Sequence, residues 1–217
     1  MNQPTDRTLK NIGYYLLAFL AILIALYPLT YFVLDRNFGL LQSKDEALLL
    51  NVFWNIGFYT HILAGGLALL IGWIQFSQKM RIKQKRLHKL IGKTYVVLVI
   101  LSGMAGIGIG FFATGGWIAK IGFITLGLIW LYTTAAGFSS AKTGEYLTHQ
   151  KMMTYSYAAC FAAVTLRIYL PLLIMLFGDF IPAYRVVAWL CWVPNLFFAY
   201  ALNSKLRGSD SAEIGPV

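Results

Sequence analysis

The sequence contains six apolar segments, each near the length that an α-helix needs to cross a lipid bilayer. They are residues 13–34, 53–76, 90–112, 118–138, 152–177 and 186–202. At ~1.5 Å per residue, roughly 20 residues cover the ~30 Å of hydrocarbon. Only 12% of the residues are charged, whereas soluble chains carry about 25%. A soluble domain with so few charged residues would have too little polar surface. We therefore predict an all-α fold, a polytopic transmembrane helix bundle of about six helices.

The basic residues predict the orientation of this bundle. The connection between the second and third segments holds seven of them: Lys79, Arg81, Lys83, Lys85, Arg86, Lys89 and Lys93. Strongly basic connections stay in the cytoplasm, so both termini are predicted to be cytoplasmic. The membrane is predicted to be the cytoplasmic (inner) membrane of a bacterium. We expect residues 79–93 to contact anionic lipids. Because these positions account for much of the net charge of +10, the charge does not indicate nucleic acid as a partner.

The six segments predict a single domain, residues 1–203. The polar residues 204–217 are predicted to form a disordered cytoplasmic tail. The two cysteines, Cys160 and Cys191, both lie inside apolar segments. A disulfide framework is therefore not indicated.

Three histidines are the candidate ligands. His61 lies about 20 Å from the cytoplasmic end of its helix, whereas His88 and His149 lie at the cytoplasmic ends of theirs. A single metal site formed by all three histidines is not expected. His88 and His149 could still contact each other, because they lie at the same depth on different helices. Small residues share a helix face with two histidines: Ala64, Gly65, Ala68 and Gly72 below His61, and Gly92, Gly103, Gly106 and Gly110 beyond His88. The pattern is typical of a groove for haem, and also of ordinary helix packing.

Arg167 lies deep in the fifth segment, five turns from His149 and on the same helix face. An arginine inside the bilayer costs about 2.5–3.5 kcal/mol on insertion scales, so it is expected to face the bundle interior and find a partner there. No Asp or Glu lies in any of the six segments. The remaining partners are backbone carbonyls, hydroxyls such as those of Tyr59 or Tyr169, or an external group: a haem propionate, a quinone carbonyl or a lipid phosphate.

Several spaced motifs resemble one known family. The motifs are residues 61–72, 86–89, 92–95, 115–116, 130–134, 149–153 and 165–167. In this order, over about residues 55–175, they resemble the bacterial predicted membrane proteins known as domain of unknown function 2306. The resemblance brings no established activity, but its motifs include all three histidines and Arg167.

A looser likeness to cytochrome b561-type membrane cytochromes rests on a helical bundle with histidines at helix ends. A cytochrome with two haems needs four axial histidines, whereas this chain has three. One haem between His88 and His149 is allowed by the sequence. A second would need His61 with a weaker ligand such as Met104, or an open site.

The leading hypothesis is a membrane-embedded b-type haem protein in transmembrane or quinone-linked electron transfer. His88 and His149 would be the haem iron ligands, His61 a ligand or proton-relay group, and Arg167 the counter-charge for a propionate or quinone. Two alternatives remain open: a small-molecule or lipid transporter with its site at Arg167, and a non-catalytic accessory subunit of a larger membrane complex. His88 and His149 are also compatible with interfacial side chains that bind lipid head groups or cap helix ends, and His61 with a buried hydrogen bond to a neighbouring helix. Whether the chain is an enzyme is also open.

Overall fold

The protein is described by a computed structural model over residues 4–33 and 39–213, with side chains described for residues 11–33 and 39–204. The α-helices are α1 (Pro4–Leu26), α2 (Thr30–Val33), α3 (Glu46–Leu49), α4 (Val52–Gly72), α5 (Gln78–Lys83), α6 (Lys85–Gly110), α7 (Trp117–Thr143), α8 (Tyr146–Cys160), α9 (Ala162–Phe177), α10 (Phe180–Leu190) and α11 (Val193–Glu213). Short 3₁₀ turns cover Tyr27–Leu29, Gly39–Ser43 and Trp73–Phe76. Within the described ranges the chain has no strand.

Six stretches of these helices are long and apolar enough to cross a membrane, and we call them spans 1 to 6. They are Asn11–Val33, Val52–Phe76, Lys85–Gly110, Trp117–Thr143, Tyr146–Phe177 and Phe180–Ser204. The prediction of an all-α bundle with about six membrane helices is confirmed.

The two spans that carry His88 and His149 begin earlier than the hydropathy pattern predicts. Span 3 begins at Lys85 and span 5 at Tyr146, whereas the apolar segments begin at residues 90 and 152. Backbone hydrogen bonds extend a helix through polar residues, whose long side chains reach the head-group region. As a result His88 and His149 lie inside helices rather than in connections.

The spans form an up-and-down bundle in which most neighbours in sequence are neighbours in space. Span 2 packs on span 3, span 3 on span 4, and span 4 on span 5, while span 1 lies against span 2. Span 6 packs on both span 4 and span 5. Spans 1, 3 and 5 therefore run in one direction. We call the end of the bundle that holds residues 79–93 the basic end, and the other the far end.

Span 6 is broken within the membrane. Helix α10 ends at Leu190 and α11 begins at Val193, with Pro194 as its second residue. Proline has no backbone N–H and fits only the first turn of a helix, so the break precedes it. Thr165 of span 5 donates a hydrogen bond to the Cys191 carbonyl, and Asn195 donates a second at 3.0 Å. Pro194 is visible in the sequence as an interruption of the sixth apolar segment, whereas nothing in the sequence indicates these two donors.

The connections at the far end are tied together by Lys44. Its Nζ donates to the Phe112 carbonyl at 2.5 Å and to Thr114 Oγ1 at 2.9 Å. Burial lowers the pKa of Lys44 to about 8. These bonds join the connection between spans 1 and 2 to the connection between spans 3 and 4.

The C-terminal end of the chain is described only in part. The backbone of α11 is helical to Glu213, and residues 214–217 lie outside the described residues. The disordered tail predicted for residues 204–217 stays a prediction. Both cysteines are free and buried.

Candidate functional site

His61 is fixed against span 3 by its ring nitrogen Nδ1. This atom lies 2.9 Å from the Ser102 carbonyl and 3.1 Å from Ser102 Oγ. Because a carbonyl can only accept, Nδ1 carries the proton, and Nε2 keeps its lone pair. The Ser102 hydroxyl in turn donates to the His61 carbonyl at 2.9 Å. The Ser102 carbonyl thus fixes a proton on Nδ1 and sets the orientation of the His61 ring.

The small residues near His61 and beyond His88 mainly receive neighbouring side chains. A Cβ atom added at five of these glycines would lie 2.5–3.0 Å from another side chain: Gly65 would meet Ser102, Gly72 Tyr157, Gly103 Leu131, Gly106 His61 and Gly110 Ile124. These contacts are the close helix packing that small residues permit. Among the described residues, Ser102 and the Tyr157 ring fill the surface at Gly65 and Gly72 below His61, and Met104 is 65% exposed on the outside of the bundle, away from an interior ligand position.

The depth of His88 and His149 follows from a hydrogen bond two turns above them. The Tyr95 hydroxyl of span 3 lies 2.9 Å from Ser156 Oγ of span 5. His88 precedes Tyr95 by seven residues, and His149 precedes Ser156 by seven. Seven residues are about two turns, so each histidine lies ~10.5 Å below, on the same face of its helix. The two rings interact electrostatically, as expected for side chains at one depth.

His149 is oriented by span 4. Its Nδ1 donates to the Gly137 carbonyl at 2.8 Å, so Nε2 carries the free lone pair. A Cβ atom at Gly137 would lie 2.8 Å from Met153 Sδ, so spans 4 and 5 pack closely here. A backbone carbonyl that holds one ring nitrogen is the usual support of a histidine ligand.

His88 lacks such a support. Among the described residues its Nδ1 is buried without a hydrogen-bond partner, and the same holds for Trp73 Nε1 and Gln75 Nε2. The nearest described atom to a Cβ placed at Gly92, one turn above His88, is Gln75 Oε1 at 3.9 Å. Near the basic end, nitrogen atoms without partners among the described residues therefore occur beside a loosely packed glycine of span 3. Neither Trp73 nor Gln75 was expected from the sequence, in which they only end an apolar run.

A buried polar network lies just above the two histidines. The Trp130 indole donates to the Tyr95 hydroxyl at 3.4 Å, and Thr134 Oγ1 lies 2.6 Å from Ser156 Oγ. Thr134 also donates to the Trp130 carbonyl at 2.7 Å. These bonds join spans 3, 4 and 5 and fix the faces on which His88 and His149 lie.

Arg167 lies in the far half of the bundle. Its Nη1 donates to the Ala163 carbonyl at 2.9 Å, and its Cζ lies 4.4 Å from the centre of the Tyr27 ring. Among the described residues the buried Nε has no partner. The backbone carbonyl expected as a partner is confirmed. The aromatic partner is Tyr27 of span 1, however, and not Tyr59 or Tyr169.

The structure separates the predicted residues into two groups. His88 and His149 lie at one depth near the basic end, on spans 3 and 5. His61 lies about 14 Å from Val52 and Arg167 about 15 Å from Phe177, counted along their helices, so these two share a depth in the far half and interact electrostatically. No group of three or more His, Cys, Asp or Glu side chains within the described ranges is placed to hold one metal ion.

A comparison with known families gives one match. The model of a family described as "Predicted membrane protein (DUF2306)" matches residues 58–202, which is 145 of the 217 residues. No curated protein and no solved structure gives a significant match. The matched region includes all three histidines and Arg167 but not Tyr27.

Proposed function

The chain belongs to the DUF2306 family of predicted membrane proteins, and we propose that it binds one haem b between His88 and His149. The observation that supports this proposal is the pair of imidazoles at one depth on spans 3 and 5. One ring is held by a backbone carbonyl with its Nε2 free, and the other has a buried nitrogen without a partner among the described residues. Bis-histidine ligation needs two such nitrogens on facing helices.

The surroundings of this pair fit a cofactor better than those of His61 do. A Cβ atom at Gly92, one turn above His88, would make only an ordinary contact with Gln75 at 3.9 Å, whereas Cβ atoms at Gly65 and Gly72 below His61 would lie 2.5–2.8 Å from Ser102 and the Tyr157 ring. We therefore restrict the proposal to one haem. His61 keeps the role of a proton-relay group, since its Nε2 can accept a proton.

Each residue of the proposed site has a definite task. His88 and His149 would hold the iron, and Gly137 would keep the His149 ring in its tautomer through the hydrogen bond to Nδ1. The unpartnered N–H groups of Trp73 and Gln75 are donors for anionic oxygen atoms at the basic end. A bound haem supplies reversible one-electron chemistry. The proposed function is therefore electron transfer across the membrane, with a quinone or a larger membrane complex as the partner.

The visible absorption spectrum of the purified protein tests the proposal. The protein is produced in cells supplied with haem, purified in mild detergent, and measured oxidised and dithionite-reduced. We expect a Soret band with sharp reduced α and β bands. His88→Ala and His149→Ala should each lower the haem content by more than about tenfold, since even outer partners of ligands change metal affinity by 10–100-fold.

His61→Ala is the matched control, because it removes a histidine outside the pair. It should keep the Soret band if the protein stays monodisperse. A colourless wild type, or a band that survives in both His88→Ala and His149→Ala, would contradict the proposal.

We also propose the orientation and lipid contacts that the charge pattern predicts. The basic end would lie in the cytoplasm of a bacterium, with the chain in the inner membrane and both termini inside. All seven basic residues within residues 79–93 are exposed. Exposed basic residues next to membrane spans attract anionic lipid head groups.

A further inference from the structure

Arg167 carries a positive charge that the described part of the protein does not neutralise. No Asp or Glu occurs in the sequence of the six spans. The neighbours that interact with it electrostatically are Tyr27, Tyr31 and His61, and none of these side chains carries a negative charge at neutral pH. A buried guanidinium keeps its charge, so an anion is the complementary partner.

The contacts of Arg167 leave one edge of the guanidinium without a hydrogen-bond partner among the described residues. Nη1 is used by the Ala163 carbonyl, and the Tyr27 ring covers one face. Nε is buried without a partner among the described residues. The remaining edge, formed by Nε and Nη2, is the fork that binds two oxygen atoms of a carboxylate or phosphate.

The Tyr27 ring keeps this fork in place. Helix α1 ends at Leu26, and a 3₁₀ turn that contains Tyr27 and Pro28 follows. Pro28 therefore breaks span 1 next to Tyr27. The break packs on span 2, where a Cβ atom at Gly66 would lie 3.1 Å from the Ala25 carbonyl and 3.4 Å from Pro28 Cγ. A guanidinium stacked on a ring held this way is ordered before a ligand arrives.

We propose that Arg167 binds an oxyanion, a carboxylate or a phosphate, within the membrane in the far half of the bundle. The anion is either dissolved or carried on an amphiphile, since both present the same pair of oxygen atoms. This site is separate from the histidine pair and does not depend on haem.

Binding is tested on the full chain in an uncharged detergent. The thermal unfolding midpoint is followed during titration with inorganic phosphate and with laurate, and dodecanol serves as an uncharged counterpart of laurate. An anion that binds only the folded protein raises the midpoint. A response to phosphate identifies a dissolved anion, a response to laurate alone identifies an amphiphile, and dodecanol should have no effect.

Three variants show where the anion binds. Arg167→Met should abolish the response, whereas Arg185→Gln should keep it, because Arg185 is exposed at the far end and its Nε donates to the Gly115 carbonyl. Arg167→Lys keeps the charge but loses the fork, and should weaken binding by about tenfold, the equivalent of one charge-assisted hydrogen bond. If Arg167→Met does not fold, Arg167→Lys still tests whether Arg167 binds the anion. The proposal fails if wild type responds to neither anion, or if Arg167→Lys binds as tightly as wild type.

Discussion

Two glycines on span 3 differ in what a side chain would meet. A Cβ atom at Gly106 would lie 2.7 Å from His61 Nδ1 and 2.8 Å from Cε1, whereas one at Gly108 has nothing within 4 Å. The His61 ring therefore rests directly on the backbone of span 3, which brings Nδ1 to the Ser102 carbonyl. Sequence periodicity placed Gly106 on the small-residue face beyond His88, but it could not show that the His61 ring packs against this glycine.

Gly106→Ala should destabilise the protein through His61. The ring must move away from Ser102, and overpacking of this kind costs about 1–3 kcal/mol. Gly108→Ala is the matched control on the same helix, and should leave stability unchanged or raise it slightly, by up to about 1 kcal/mol. The measurement is the unfolding midpoint of both variants in the same detergent. Equal midpoints for the two variants would show that the His61 contact is not tight.

The break in span 6 is stabilised by a neighbouring element. Thr165 Oγ1 donates to the Cys191 carbonyl, and Asn195 Nδ2 donates to Thr165 Oγ1 at 3.2 Å and to the Ala158 carbonyl at 3.3 Å. Inside a membrane a free backbone carbonyl has no water to accept a hydrogen bond from, so the carbonyls at a helix break need side-chain donors. Spans 5 and 6 are therefore joined by polar contacts at the level of the break.

Thr165→Val tests this joint with little change in shape. The variant removes one donor to the Cys191 carbonyl and the acceptor of Asn195, but Asn195 still donates to Cys191. We expect a loss of about 1 kcal/mol, within the ~0.6–1.7 kcal/mol measured for such bonds in membrane proteins. Thr94→Val is the control, since exposed Thr94 donates only to the Leu90 carbonyl of its own helix. A loss no larger than that of the control would contradict the role given to Thr165.

For the molecule as a whole, apolar length was enough to predict the bundle, because a continuous apolar segment of about 20 residues satisfies its own backbone in lipid only as a helix. It also predicted that Arg167 turns inward. The partners of Arg167 and His88 were not predictable, since helix rotation and neighbours depend on packing between spans. Tyr27 is an example. It is one of several aromatic residues in an apolar span, and nothing in the sequence marks it as the ring that contacts Arg167.

The orientation of the whole bundle is testable with single cysteines. Cys160 and Cys191 are buried, so they should add little background labelling by a maleimide that cannot cross membranes. Ala47→Cys lies in the exposed connection at the far end, and Gln78→Cys lies exposed at the basic end. Because seven basic residues follow within positions 79–93, the basic end should stay in the cytoplasm.

We therefore expect Ala47→Cys to be labelled in intact cells and Gln78→Cys only after the cells are permeabilised. The two variants control for each other, since each site is exposed and differs only in the end of the bundle that holds it. The opposite pattern would place residues 79–93 outside and Arg167 in the cytoplasmic half. Any oxyanion for Arg167 would then approach from the cytoplasm, so the same experiment also decides from which side the proposed site is filled.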